Sequence, residues 1–392
     1  MKKKYLLLLT LIIALPVVGQ NINISITHGP YLCDMTSDAV TVVWTTNIPA
    51  QSWVEIAPDD GQNFYATERP KYYDTRNGRK AAYKTLHKVR INGLQPGKSY
   101  VYRVFSKEVT DWIGADKVSY GNVAATSARR GLAHTFRTYD DKATSSSFFI
   151  INDIHGKADK MKTICKDVDF KPFDFVVLNG DMATHFKTEE QVFKNFVDAS
   201  VELFASRTPV IYGRGNHECR GPLADVLIDY FPTRSGEFYQ LYRVGNIAYL
   251  VLDGGEDKPD SDIEYGGLAA FDPYREEQAD WLEKIVQTPE FTEAAVRIVF
   301  LHIPPFHGDA HGNQHMGKLF VPILNQAGID LMFSGHLHKY QLREPNDKVH
   351  FPIIVNDADS YLKCQVNSQN IDVEIVSIKD PKVKKLTFPV KR

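Results

Sequence analysis

The sequence predicts an all-β sandwich followed by a layered α/β domain with mixed sheets. Three observations carry that prediction. Residues 22–138 hold short alternating apolar runs separated by turn residues, a polar aperiodic stretch Tyr139–Ser147 (YDDKATSSS) follows, and beyond it apolar strand-like runs alternate with amphipathic helical segments. A length of 392 residues suits two or three units at roughly 100–200 residues each. A content of 43% hydrophobic and 24% charged residues is globular, which excludes wholesale disorder and a multispan membrane protein.

At the amino terminus, Lys2, Lys3 and Lys4 precede the apolar run Leu6–Val18, and Gly19 closes it. That run is shorter than the ~20 residues a spanning helix needs, so residues 1–19 read as a signal peptide cleaved before Gln20. The expected destination is secreted or periplasmic, with no membrane anchor after cleavage. No cysteine stands at the cut, so lipid attachment there is not expected. The net charge of −2 becomes −5 without those three lysines, at 43 basic against 48 acidic residues, and no basic surplus points to a nucleic-acid partner. Cys33, Cys165, Cys219 and Cys364 would enter an oxidising compartment, yet their wide spacing matches neither a zinc knuckle nor a disulfide scaffold; one disulfide is compatible with it and none is required.

In the first unit, 22–138, Ala39–Thr45, Ser52–Ile56, Lys84–Ile91 and Ser99–Phe105 carry Val, Ile, Tyr and Trp at the period of two that strands require. Trp44 is the expected buried aromatic, and Leu94, Pro96, Gly97 and Tyr100 fit a corner where a tyrosine hydroxyl bonds to the upstream chain. His28, His87 and His134 are scattered and read as surface or turn residues. The segment GLQPGKSYVYRV resembles the corresponding corner of fibronectin type III domains.

The second unit, 147–392, has strand-like runs at Phe148–Ile151, Phe175–Leu178, Pro209–Tyr212, Arg297–Leu301 and Leu331–Phe333. Helical periodicity appears at Thr188–Ser206, Arg275–Gln287 and Lys318–Ala327. Phe238–Asp253 reads as a hairpin turning at Val244-Gly245-Asn246, and the tail Ile353–Val390 as further strands.

Five polar clusters fall at the carboxyl ends of these strands: Asp153-Ile154-His155, Asn179-Gly180-Asp181, Gly215-Asn216-His217-Glu218, His302, and Gly335-His336-Leu337-His338. In an open α/β sheet, side chains from distant parts of the chain converge beyond those ends. Each cluster alone is an ordinary turn; five in succession are not. Carboxylate, carboxamide and imidazole donors without thiolate suit Zn, Mn or Fe, and eight candidates are too many for one four-coordinate ion but suit two. Such a pair can hold a hydroxide nucleophile and neutralise phosphoryl oxygens during in-line displacement.

This ordered series resembles the calcineurin-like metallophosphoesterase superfamily. The resemblance implies that Asp153, His155 and His338 bind one ion, that Asn216, His302 and His336 bind the other, and that Asp181 bridges them. It further implies that His217 is no ligand but a leaving-group acid or charge stabiliser, oriented by Glu218. A β-sandwich ahead of such a domain also resembles purple acid phosphatases. Two positions depart from their pattern: His155 stands where Gly is usual, and Thr184 stands where a tyrosine would ligate ferric iron.

Other residues have two readings. Arg220 could clamp a phosphate oxygen with its fork of donors or lie in a surface salt bridge. His307, His311 and His315 recur every four residues, but Gly308 and Gly312, each costing ~1 kcal/mol in a helix, favour a mobile active-site loop with His307 nearest the substrate. Glu256–Glu264 reads as a solvated acidic insertion near the site mouth. The functional expectation is an exported dinuclear-metal phosphoesterase acting on a small-molecule phosphoester. Its alternatives are an extracellular binding protein with a degenerate second domain, and a diesterase or nucleotide pyrophosphatase.

Overall fold

The computed structural model describes residues 23–129, 132–306, 308–380 and 382–390. The expected signal peptide and His307 lie outside them. No helix among the described residues is long and apolar enough to cross a membrane.

The first unit is built on one strand. Ala39–Thr45 and Ser52–Ile56, expected as two strands, are parts of the single strand Ala39–Pro58. Its first half pairs with Ile26–Cys33 and Lys84–Asn92, and its second half, from Ala50, pairs with Ser99–Ile113. The register breaks between Thr45 and Ala50, where Pro49 has no N–H for a ladder. The strand thereby changes partners along its length without a loop. Trp44 is buried and donates its indole N–H to Ser106 Oγ at 2.9 Å. The backbone N–H of Gln95 donates to the Tyr100 hydroxyl at 2.9 Å, which is the corner the sequence predicts.

His87 corrects the expectation of a surface or turn residue. It is 5% exposed, 2.8 Å from Thr46 Oγ1 and packed against Trp44. Burial, helped by Lys84, lowers its pKa to about 3. The unfolded chain, with a histidine pKa near 6.5, therefore protonates first, so stability falls as pH drops from about 6.5 toward the folded value. The loss at pH 5 relative to pH 8 is about 2 kcal/mol from this group. His87→Gln, which can still bond Thr46, is expected to flatten that dependence in urea unfolding measured at both pH values. An unchanged slope would rule His87 out as its source.

The second unit stacks two sheets between helical layers. In one, Ser145–Ile151, Phe175–Asn179 and Val210–Gly213 run parallel, with Ser360–Asn367, Asn370–Ser377 and Lys384–Pro389 added antiparallel at one edge. In the other, Ile247–Leu252, Val296–Leu301, Leu331–Ser334 and Ile353–Val355 run parallel, with antiparallel edges Gln240–Val244 and Gln341–Arg343. Strands covered on both faces need continuous apolar runs rather than alternation, which FVVLN and VRIVFL supply. Phe148, Phe175, Tyr249, Phe300 and Phe333 interlock between the sheets. Removing one such fully buried ring costs about 3–5 kcal/mol. Cys33 pairs with Val210, so strand Ile26–Cys33 joins the sheets of both units.

Two segments differ from expectation. The stretch Tyr139–Ser147, read as a linker, buries Tyr139 and enters the sheet at Ser145, because Ser146 Oγ and Ser147 N donate to Asp174 and so satisfy the polar groups it carries inside. The last long helix spans His311–Ala327 and includes Gly312, where a loop was expected. There the helix lies against the Glu256–Asp257 backbone, and a Cβ would not fit. All four cysteines are buried free thiols.

Candidate metal centre

The carboxyl ends of five parallel strands meet along one edge. Asp153 and His155 follow Ser145–Ile151, Asp181 follows Phe175–Asn179, and Asn216 and His217 follow Val210–Gly213. The second sheet adds His302 after Val296–Leu301, then His336 and His338 after Leu331–Ser334. Seven described non-glycine residues have positive φ, and Asp153, His155, Asp181, His336 and His338 are five of them, at 51–71°. Each such position costs an L-residue roughly 1–2 kcal/mol, and strain of this kind collects where function fixes a side chain. Backbone bonds hold the turns: Asp153 N to Gly180 O at 3.0 Å and His155 N to Asp181 O at 2.9 Å. Gly180, at φ 84°, lies so close to the His302 ring that no Cβ could stand between them.

The donor atoms form two groups that share Asp181. Asp153, His155, Asp181 and His338 make one, and Asp181, His302 and His336 the other. His338 Nε2 lies 3.1 Å from Asp153 Oδ1, and His302 Nε2 lies 3.2 Å from Asp181 Oδ2. His155 Nε2 is 3.9 Å from that same Asp181 oxygen. Asn216 Oδ1 joins the second group at 3.1 Å from His336 Nδ1.

A cation fits these residues. Asp153 Oδ1 and His302 Nε2 are buried and make no well-aligned hydrogen bond, although His338 Nε2 and Asp181 Oδ2 stand 3.1 and 3.2 Å from them, an arrangement proteins avoid unless something else satisfies the atoms. His302 Nδ1 stands 2.7 Å from the Asn179 carbonyl, which requires the proton on Nδ1 and leaves the Nε2 lone pair facing Asp181. His155 Nε2 and His338 Nε2 approach to 2.9 Å, two nitrogens that need a proton or a metal between them.

The electrostatics agree. Burial would raise the Asp181 carboxyl, but His302 and His217 beside it hold it well below the usual carboxylate range. For His302, burial lowers the pKa, yet Asp181 outweighs it and lifts the value to about 10; His155, where burial dominates, falls to about 4. A proton and a metal compete for these lone pairs, so metal binding would release protons.

Glu218 corrects an expectation. Its carboxylate accepts from the backbone N–H groups of Asp181 (2.9 Å), Ala183 (3.0 Å) and Gly215 (2.9 Å), so it clamps the Asp181 turn instead of orienting the His217 ring. Burial, then Asp181, raises its pKa to about 7. The His217 ring is placed by the Thr184 carbonyl, 3.2 Å from Nδ1, which leaves Nε2 3.9 Å from Asp181 Oδ2. Arg220 lies in ion pairs with Glu256 (3.1 Å) and Glu264 (3.3 Å), with Nη1 3.3 Å from His217 Nδ1.

The acidic insertion is not simply solvated. Glu256 is buried between Arg220, Lys258 and the Tyr265 hydroxyl, and Asp257 Oδ2 lies 3.6 Å from His336 Nε2. Sequence reading missed Asp257, although Asp253-Gly254-Gly255-Glu256-Asp257 follows the parallel strand Ile247–Leu252 just as the other clusters follow theirs.

His311 and His315 gather at Asp272, where His311 Nε2 is 2.8 Å and His315 Nδ1 3.0 Å from its oxygens. The buried Arg275 guanidinium already donates to Asp272 Oδ1 and to His315 Nδ1, at 2.5 and 3.2 Å. Its charge occupies the place of a cation, and the group clips two helices together.

The calcineurin-like phosphoesterase family matches residues 146–340, and the purple acid phosphatase N-terminal domain matches 20–119. Purple acid phosphatase 21 of Arabidopsis thaliana is 22% identical over 300 residues, 71% of this chain and 60% of that protein. Serine/threonine-protein phosphatase CPPED1 of Mus musculus is 24% identical over 183 residues, 45% of this chain and 54% of that one. The chain thus spans a little over half the length of these relatives. The structure of purple acid phosphatase PPD1 from yellow lupin seeds shares the fold, with a TM-score of 0.64 over 92% of this chain and 74% of that one at 16% identity. Residues 146–340, which hold the strand-end series of Asp, Asn and His, thus form a calcineurin-like phosphoesterase domain, and residues 20–119 ahead of them a domain of the purple acid phosphatase N-terminal kind.

Proposed function

We propose that the protein is an exported, metal-dependent phosphoric ester hydrolase with a dinuclear centre. The observation that carries this reading is the sharing of Asp181 by two donor groups, with His217 beside both and committed to neither. Asp153, His155 and His338 would hold one ion, Asn216, His302 and His336 the other, and Asp181 both. Two ions of the Fe, Mn or Zn kind, when bound, supply Lewis acidity toward phosphoryl oxygens and an acidified water as nucleophile. The chain supplies the rest. The Asn179 carbonyl keeps the His302 proton on Nδ1, Asp257 stands by the outer nitrogen of His336, and Glu218 holds the Asp181 turn. His217 keeps an Nδ1 proton toward the Thr184 carbonyl and presents Nε2 to substrate, where it can protonate the departing oxygen. Export is supported by the lysine-headed apolar segment of residues 1–19.

Elemental analysis of the mature protein, its amino terminus read by mass spectrometry, tests the reading together with a panel of phosphate monoesters, diesters and nucleotides. About two transition-metal ions per chain, a terminus at Gln20 and chelator-sensitive hydrolysis are expected. With Thr184 in the tyrosine position, the iron-loaded protein is expected to lack an intense visible band. Hydrolysis that persists without metal, or a chain that keeps Met1, would overturn the corresponding part.

A further inference from the structure

A cleft of about 840 Å³ opens beside the metal centre, within the 300–1,000 Å³ range of small-molecule sites. One wall follows directly from the His217 turn, through Cys219 and Arg220 to Ile228. The other is Glu264 at the end of the acidic insertion, the segment after it with Tyr265 and Leu268, and Phe271 at the start of helix Phe271–Ile285. The two are joined where Arg220, whose Nη1 is 3.3 Å from His217 Nδ1, meets Glu256 and Glu264 of the insertion. The cleft therefore reaches Arg220, which stands against the Nδ1 side of the His217 ring.

Its chemistry is apolar and free of available positive charge. Phe238 and Tyr274 add aromatic surface, and Leu268 adds an apolar side chain that is 88% exposed. The cationic side chains of the lining, Arg214 and Arg220, are both engaged. Arg214 pairs with Asp253 at 2.7 Å and lies over the rings of Phe238 and Tyr274, while Arg220 is held by its two glutamates. Asp225, Glu237 and Glu264 add carboxylates to the lining. With Glu264 neutralised by Arg220 and Lys258, a second phosphate would find the carboxylates of Asp225 and Glu237 and no unpaired cation in the lining.

We propose that this cleft receives the alcohol portion of the substrate and selects phosphate monoesters of bulky aromatic or aliphatic alcohols over nucleoside polyphosphates. The proposal rests on the hydrolase reading above. It is tested with 2-phenylethyl phosphate, ethyl phosphate and ATP on the metal-loaded full chain, the two alkyl esters having leaving groups of similar acidity. Burying the phenyl ring is worth about 1.5–3 kcal/mol, so kcat/KM is expected to favour 2-phenylethyl over ethyl phosphate by roughly 10- to 100-fold, with ATP below both. Phe271→Ala should bring that ratio toward one, as should Leu268→Glu, whose exposed position tolerates the change without refolding the core. A wild-type ratio near one, a ratio that survives both variants, or a preference for ATP would overturn the cleft's role while leaving hydrolysis standing. Hydrolysis of none of the three would instead remove the reading on which the cleft depends.

Discussion

Asp181→Asn is expected to abolish binding of both metal ions at once. The substitution keeps the shape of the side chain, and asparagine tolerates the left-handed backbone that Asp181 adopts at φ 53°. Oδ1 can still accept from the His217 backbone N–H, now 3.0 Å away. What disappears is the charge at the oxygen facing both His155 and His302. Activity should fall by more than the roughly 10²- to 10³-fold that losing one electrostatic stabiliser costs. His155→Ala belongs to one donor group only and should lower the metal content by about one ion. Elemental analysis of the two variants beside the wild type separates the cases, and an Asp181→Asn protein that keeps two ions would remove Asp181 from the bridging position.

His217→Ala should do the opposite, retaining both ions while kcat falls by about 10²- to 10⁴-fold. The bond from residue 217 to Asp181 uses the backbone N–H, so truncating the ring leaves the turn in place. If the ring donates a proton, the loss shrinks for a nitrophenyl ester, whose leaving group departs as an anion, and stays large for alkyl esters. Equal losses on both would make His217 a stabiliser of phosphoryl charge instead. Metal loss in this variant would place the imidazole among the ligands.

The misreadings share a cause. Glu256 and Asp257 sit in a run of charges that looks solvated, yet Arg220 and His336 come from other strands to meet them. Ser145–Ser147 resembles a linker in composition, but Asp174 waits to accept its hydrogen bonds inside the sheet. Gly312 argues against a helix until the Glu256–Asp257 backbone is seen packed against it. In each case the decisive partner is remote in sequence, and local pattern carries no trace of it.

The amino-acid order alone determined the layout. Uninterrupted apolar runs had to become strands buried on both faces, polar clusters placed at their ends had to fall on one edge, and the absence of thiolate among those clusters selected the kind of ion. Tertiary structure decided the division of labour. Which clusters share Asp181, which carbonyl directs the His217 ring, and that Glu218 grips backbone while Arg220 is bound by glutamates all depend on distances of about 3 Å between residues from different strands. Periodicity registers burial, a property of each segment against its surroundings; hydrogen bonding and ligation are properties of pairs, and the pairs exist only once the two sheets have closed on each other.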